Sequence, residues 1–202
     1  MRETIAIILA AGLSRRMGAR NKLLLPVNGV PMIRHMVDTY HAVTQRPVLV
    51  VTGHQADAVE TSLSGCDVQT VYNPDFAHGQ QTSVACGLRA AQGAARILIG
   101  LGDQPRLTGG DLKKMLAAHC AADPARISIP MTGEQRGNPI VVPDVLRDRL
   151  LVDPRSPGCK IFTRAHPEHV QFHALRSPGY YADVDTPDAY DALAVQTLDG
   201  TT

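Results

Sequence analysis

Thr4-Ile-Ala-Ile-Ile-Leu-Ala-Ala-Gly-Leu-Ser-Arg-Arg-Met-Gly18 is the stretch whose reading decides the fold. Residues 4–10 are apolar and rich in β-branched side chains, as in a strand buried on both faces. Ala10, Ala11 and Gly12 then let the backbone approach a flat ligand closely and point N–H groups outward. Arg15, Arg16, Arg20 and Lys22 follow without an intervening acid, so a cationic loop sits at the end of a buried strand. The spacing is neither the GxxxxGK[ST] phosphate loop nor the GxGxxG dinucleotide fingerprint. The plain alternative is a glycine turn with solvated arginines.

The same alternation of short apolar runs and amphipathic segments continues along the chain. Strands are predicted at 4–10, 47–52, 68–72, 96–101, 126–130, 139–142, 169–174 and 182–184. Helices are predicted at 31–43, 55–63, 81–92, 108–122, 158–165 and 186–198, with Thr108 and Asp111 placed as a capping box and Thr186-Pro187 as a helix start. This is the pattern of an α/β chain with a doubly wound, mostly parallel sheet. At 202 residues it fits one domain, with a nucleotide-binding half at about 1–105 and an acceptor-binding half at about 106–202.

Composition narrows the function classes. The formal net charge is +1 and Trp is absent, which argues against nucleic acid and against an anionic membrane surface. The four cysteines form no CxxC pair and read as reduced thiols of a cytoplasmic protein. The start resembles a short signal peptide, but its apolar stretch is brief and a basic loop follows it, so a buried strand explains it better. No run reaches transmembrane length.

In doubly wound sheets ligands collect at the carboxyl ends of strands. After the first strand, Ser14 offers a hydroxyl to a polyphosphate, Arg15 and Arg16 offer guanidiniums, and Lys22 offers a point charge. After the fourth strand comes Gly100-Leu-Gly-Asp-Gln-Pro105. Asp103 faces the same crevice there, a natural Mg²⁺ ligand beside a triphosphate. Near the end, Tyr181-Ala-Asp-Val-Asp-Thr-Pro187 repeats the pattern. Asp183 and Asp185 point to the same face of that strand, so one is read as a second metal ligand and the other as merely adjacent. The bland reading makes Asp103 a turn residue and Asp185 a helix-start residue. His166, His169 and His173 have suggestive spacing, but a helix end and an alternating strand would set them on different faces.

Leu9-Ala-Ala-Gly-x-Ser-x-Arg-Met-Gly18, with Lys22 and Pro26, resembles the signature of the family that includes molybdenum cofactor guanylyl- and cytidylyltransferases. Gly79-Gln-Gln-Thr-Ser-Val84, Gly102-Asp-Gln-Pro105, Gly137-Asn-Pro-Ile-Val141 and Asp183-Val-Asp-Thr-Pro187 resemble its cytidylyl branch. The resemblance spans residues 4 to 190. It implies a Rossmann-like nucleotidyltransferase fold and transfer of CMP from CTP to the terminal phosphate of a molybdopterin-type cofactor, with Mg²⁺. In the guanylyl branch the loop usually reads Leu-Ala-Gly-Gly. Here Ala11 replaces the third residue, which favours CTP over GTP.

The nucleotide site so implied comprises Leu9, Ala10, Ala11, Gly12, Ser14, Arg15, Arg16, Lys22 and Gly102. Arg16, Lys22 and Asp103 are its catalytic members, and Asp103 with Asp185 holds the metal. By the same resemblance, Gly79, Gln80, Gln81, Thr82 and Ser83 with Arg136, Gly137 and Asn138 line the acceptor pocket. The plain reading of 79–83 is the cap of the following helix. A recipient molybdoenzyme or its chaperone would be a transient partner. Three alternatives stay open: GTP in place of CTP, another phosphorylated acceptor, and a non-catalytic nucleotide-binding cofactor chaperone.

Overall fold

The computed structural model describes residues 3–18, 20–152 and 159–199. Its elements run β1 (Thr4–Ala10), β2 (Pro26–Val27), β3 (Val30–Pro31), α1 (Met32–His41), β4 (Val48–Thr52), α2 (Ala56–Ser62), β5 (Val68–Tyr72) and α3 (Gln80–Ala90). They continue with β6 (Arg96–Leu101), α4 (Gly109–Ala121), β7 (Ile127–Thr132), β8 (Gln135–Arg136), β9 (Ile140–Pro143), α5 (Asp144–Leu151), α6 (Cys159–Ala165), β10 (Val170–Ala174) and α7 (Pro187–Asp199).

The main sheet has the order β10-β7-β9-β6-β1-β4-β5, with β8 paired to β7. β1 lies parallel to both β4 and β6, β4 to β5, and β7 to β10. β9 runs antiparallel to β6 and β7. The fold is therefore the expected α/β, doubly wound and mostly parallel sheet. From β1 the chain winds outward through β4 and β5, then crosses back to β6 on the other side. Such a reversal opens a crevice beyond the strand ends.

The period of two along each strand sorts the core into two layers. Ile5, Ile7, Leu49, Val51, Ile97 and Ile99 face Leu88 of α3 and Leu146 and Leu150 of α5. Ala6, Ile8, Val48, Val50 and Leu98 face α1, α2 and α4 through residues such as Met36, Tyr40, Val59 and Met115. Two glycines permit close approaches. A methyl on Gly87 would lie 2.8 Å from Cγ2 of Ile7, so α3 sits directly on β1. A methyl on Gly100 would lie 1.6 Å from the Tyr40 hydroxyl, in a fully buried site.

The expected capping box at Thr108 and Asp111 is formed, and the Thr186 hydroxyl accepts from Ala189 N at 3.2 Å. Gly158, the first residue of the helix expected at 158–165, lies outside the described residues. One predicted element is absent: residues 182–184 form no strand. Both edges of β6 are taken, by β1 and β9, so the segment finds no free ladder. It contributes one bond, Val184 N to the Asp103 carbonyl at 2.8 Å. α5 and the β2–β3 hairpin, whose Asn28-Gly29 turn has positive φ at both residues, are additions to the sequence reading.

His119, 1% exposed, shares the Ser128 hydroxyl with His173, each at 2.9 Å. Burial pushes the His119 imidazole down to about 4, with the Arg96 charge and His173 acting in the same direction. Between that value and the ordinary value near 6.5 the unfolded chain binds more protons than the folded one, so stability falls as pH falls. We expect the urea midpoint to drop between about pH 6.5 and 4 and His119→Gln to flatten that drop. An unchanged slope in the variant would remove His119 as its source. Gly100→Ala should destabilise the fold by about 1–3 kcal/mol, because Tyr40 has nowhere to move. A denaturation midpoint equal to wild type would show that the ring can yield.

Candidate active site

β1 and β6 pair in register from Thr4↔Arg96 to Leu9↔Leu101, and Gly102 N extends the ladder by donating to the Leu9 carbonyl at 3.1 Å. The loop after β1 and the loop after β6 therefore leave the sheet side by side. In the first loop, Ser14 takes a left-handed conformation and its hydroxyl accepts from Lys22 N at 3.4 Å. In the second, Val184 N is bound to the Asp103 carbonyl, which lays residues 183–185 across the same opening. Tyr180 anchors this late segment. Its hydroxyl donates to the Asp111 carbonyl at 2.6 Å, and its own carbonyl accepts from Asn138 N and Gln104 Nε2.

These loops bring three carboxylates together: ligand oxygens of Asp103, Asp183 and Asp185 all lie within 4.8 Å of one another. Lys22 Nζ donates to Asp103 Oδ2 and, at 2.7 Å, to Asp185 Oδ1, while Arg16 Nη2 reaches Asp185 Oδ2 at 2.6 Å. Burial works against the charge of Asp185, but the hydrogen bond and charge of Lys22 outweigh it and hold its pKa below the ordinary value. Burial raises Asp103 against the opposing pull of Lys22. Asp183 is raised by burial and by its two carboxylate neighbours. Burial disfavours the Lys22 ammonium, yet Asp103 and Asp185 together keep its pKa raised.

The trio fits a hard divalent cation. It offers only carboxylate oxygen, and Asp103 Oδ1, shielded from solvent, has no hydrogen-bond partner among the described residues. Asp183 joins the two predicted aspartates there. The i, i+2 spacing was the signal, but its partnership with Asp103 depended on a loop path that spacing does not give.

A cleft of about 680 Å³ opens over the cluster. Leu9, Ala11, Gly12, Ser14, Arg15, Arg16, Lys22, Asp103 and Asp185 line it, together with Gly79, Gln80, Ser83 and Asn138. Leu13, Phe76 and Ala77 also line it; no sequence pattern marked them. A second cavity of about 790 Å³ shares Leu9, Gln80, Leu101 and Asn138 with the first. Gln81, Arg136 and Gly137 line this one, joined by Cys159, Lys160 and Arg164 of α6. Burial pushes the Cys159 thiol up to about 12.

Three named residues line neither cavity. Ala10 packs into the core, Gly102 is wedged between Leu23 and Ile33, and the Thr82 hydroxyl ties the loop together through the Asp75 and Gly79 carbonyls. Gly79 has φ +110°, and a methyl there would meet the Gln81 amide at 2.5 Å, so the turn before α3 also has a local structural reason. His173 turns to Ser128, whereas His166 and His169 approach the same Glu168 oxygen at 3.1 and 3.7 Å, so only His173 stands apart from the other two.

Residues 6–170 match a family model described as the MobA-like NTP transferase domain. The chain is 29% identical over 188 residues to the nicotine blue oxidoreductase of Paenarthrobacter nicotinovorans, covering 89% of this chain and 91% of that protein. It is 38% identical over 122 residues to the bifunctional protein GlmU of Pelobacter propionicus, covering 59% of this chain and 26% of GlmU. It thus spans about a quarter of the GlmU relatives' length. Among solved structures, a nucleotidyl transferase from Methanothermobacter thermautotroptrophicus superposes with a TM-score of 0.82 at 28% identity, over 98% of this chain and 99% of that one. The manganese complex of Rv0371c from Mycobacterium tuberculosis gives 0.72 at 24% identity, over 96% and 98%, a likeness of fold. No helix among the described residues is long and apolar enough to cross a membrane.

Asp103→Ala is expected to weaken Mn²⁺ binding by about tenfold or more with the fold retained. Titration calorimetry beside circular dichroism measures both. Wild-type affinity in a folded variant would remove Asp103 from the metal site.

Proposed function

The chain belongs to the MobA-like NTP transferase family, and we propose that it transfers CMP from CTP to the terminal phosphate of a molybdopterin-type cofactor. The observation that carries nucleotidyl transfer is the meeting of Lys22 and Arg16 with three carboxylates at the mouth of the β1–β6 cleft. Such a set holds a polyphosphate and its cation together.

In this reading the nucleotide lies along residues 9–14. Arg15, Arg16 and Lys22 take the β- and γ-phosphates, cancelling charge that would repel the incoming acceptor. Asp103, Asp183 and Asp185 would hold Mg²⁺, which supplies further neutralisation of the phosphates when bound. An acceptor phosphate has a second pKa of about 6, so it is largely dianionic at neutral pH and needs no side-chain base. Its oxygen attacks the α-phosphorus, the bond to the β-phosphate oxygen breaks, and pyrophosphate leaves. The protein's contribution is alignment and electrostatic stabilisation.

Ala11 supports CTP. It lines the cleft and is 4% exposed, and a methyl on Gly53 behind it would come within 2.8 Å of its Cβ. In this reading the extra methyl, compared with glycine, narrows the slot for the base. One methyl supplies about 1–3 kcal/mol of discrimination, enough for a preference. The acceptor assignment is supported by Gly79, Gln80, Gln81, Ser83 and residues 136–138 lining the two neighbouring cavities. The likeness to nicotine blue oxidoreductase over nearly its full length makes an oxidoreductase activity the second reading.

One panel separates these readings. Pyrophosphate release is measured with CTP, GTP, ATP and UTP, with Mg²⁺ and molybdopterin-type cofactor, and NADH and NADPH oxidation is followed in parallel. We expect release with CTP and a shift toward GTP in Ala11→Gly. Release with GTP alone would move the wild-type protein to the guanylyl branch. Oxidation of reduced nicotinamide without pyrophosphate release would replace transfer by reduction.

A further inference from the structure

The second cavity differs in chemistry from the cleft it joins. Its walls include Val84, Ile129, Ile140 and Ile161, and among the described residues its charged lining side chains are Arg136, Lys160 and Arg164, with no Asp or Glu. Lys160, Thr163 and Arg164 fall at i, i+3 and i+4, so they share one face of α6. Arg136 Nη1 donates to Thr163 Oγ1 at 3.4 Å, and its guanidinium lies 4.9 Å from the centre of the Phe172 ring. The three cations are thus gathered at one end of the cavity. None has a carboxylate partner among the described residues. Lys160 and Arg164 are moreover a like-charged i, i+4 pair, an arrangement that weakens a helix unless something neutralises it.

Their place in the sheet separates them from the chemistry. Phe172 is on β10, three strands beyond β6 in the order β10-β7-β9-β6. At about 4.8 Å per strand this is roughly 14 Å from the strand that presents Asp103. Arg136, Lys160 and Arg164 line only the second cavity, whereas Arg16, Lys22 and the three aspartates line only the first.

We propose that Arg136, Lys160 and Arg164 form a distal anion subsite, and that the acceptor carries negative charge at both ends. One end is the phosphate that receives the nucleotide; the other is a second anionic group held against α6. The proposal deepens the transfer reading and rests on it for the identity of the first end. A phosphorylated acceptor whose far end carries only neutral hydroxyls leaves the cations unpaired and binds poorly.

The subsite is tested on the full-length protein with two fluorescent probes. 8-Anilinonaphthalene-1-sulfonate carries one negative charge, and N-phenyl-1-naphthylamine is the same ring system without it. Lys160→Met/Arg164→Met should weaken the sulfonate about tenfold and the neutral amine no more than about twofold. The charge-retaining Lys160→Arg/Arg164→Lys should stay within about threefold of wild type for both. Three results would overturn the subsite: an unchanged sulfonate affinity in the methionine variant, an equal loss of both probes, or a charge-retaining variant as weak as the methionine one. In the transfer assay, the methionine variant should raise KM for molybdopterin-type cofactor about tenfold and leave KM for CTP unchanged. If wild type transfers nothing to that cofactor, the assigned acceptor fails, while the probes still decide the subsite.

Discussion

The parallel pairing of β1 with β6 is the constraint on which the rest of the molecule depends. It places Leu9 beside Leu101, so two loops far apart in sequence emerge as neighbours. A parallel neighbour requires a crossover connection, and the two crossovers from β1, one through β4 and β5 and one back to β6, leave the opening at that point. Close packing maintains it from both sides. Gly87 lets α3 settle on Ile7, and Gly100 makes room for the buried ring of Tyr40. The position of Asp103 is therefore set by backbone hydrogen bonds and packing before any charge is considered.

Charge then decides how the loops are arranged. Three carboxylates this close repel one another, and a nearly buried lysine with one arginine opposes them. Burying Lys22 is tolerable only because two aspartates accept its protons. The result is a polarised groove. The end at the carboxylate cluster mixes acids and bases, and at the other end the charged side chains among the described residues are all basic, beside apolar walls. An asymmetric bisubstrate site needs such a gradient so that two anions can be brought together without either occupying the other's place.

Much of this was legible in the sequence because it depends on local pattern. The central strands announce themselves by near-continuous apolar runs, and Thr108-x-x-Asp111 by the reciprocal bonds of a capping box. The cationic loop and Asp103 were legible because each follows directly on a buried strand. Other features depend on distant partners. The segment at 182–184 has strand composition but no free edge to pair with, and it lies as an extended tether instead. Asp183 joins the cluster because Val184 binds the Asp103 carbonyl, a contact no spacing encodes. Lys160 and Arg164 carry no motif in the sequence, and only the fold sets their helix face against the cavity. The Asn28-Gly29 hairpin turn was readable from its dipeptide alone, and α5 is short enough to pass as a continuation of the strand before it.

The tether that ends in Asp183 and Asp185 also imposes a schedule. Chains emerge from the ribosome with the N-terminal part first, so β1, β4, β5 and β6 can pair long before residues 183–185 exist. A nascent chain at that stage holds Lys22 and Asp103 next to each other, with both remaining carboxylates still unmade. Docking of Tyr180 against the Asn138 and Gln104 loops is the event that delivers them. The carboxylate corner around Lys22 is therefore completed late, although the loop that carries Lys22 is translated long before residues 183–185.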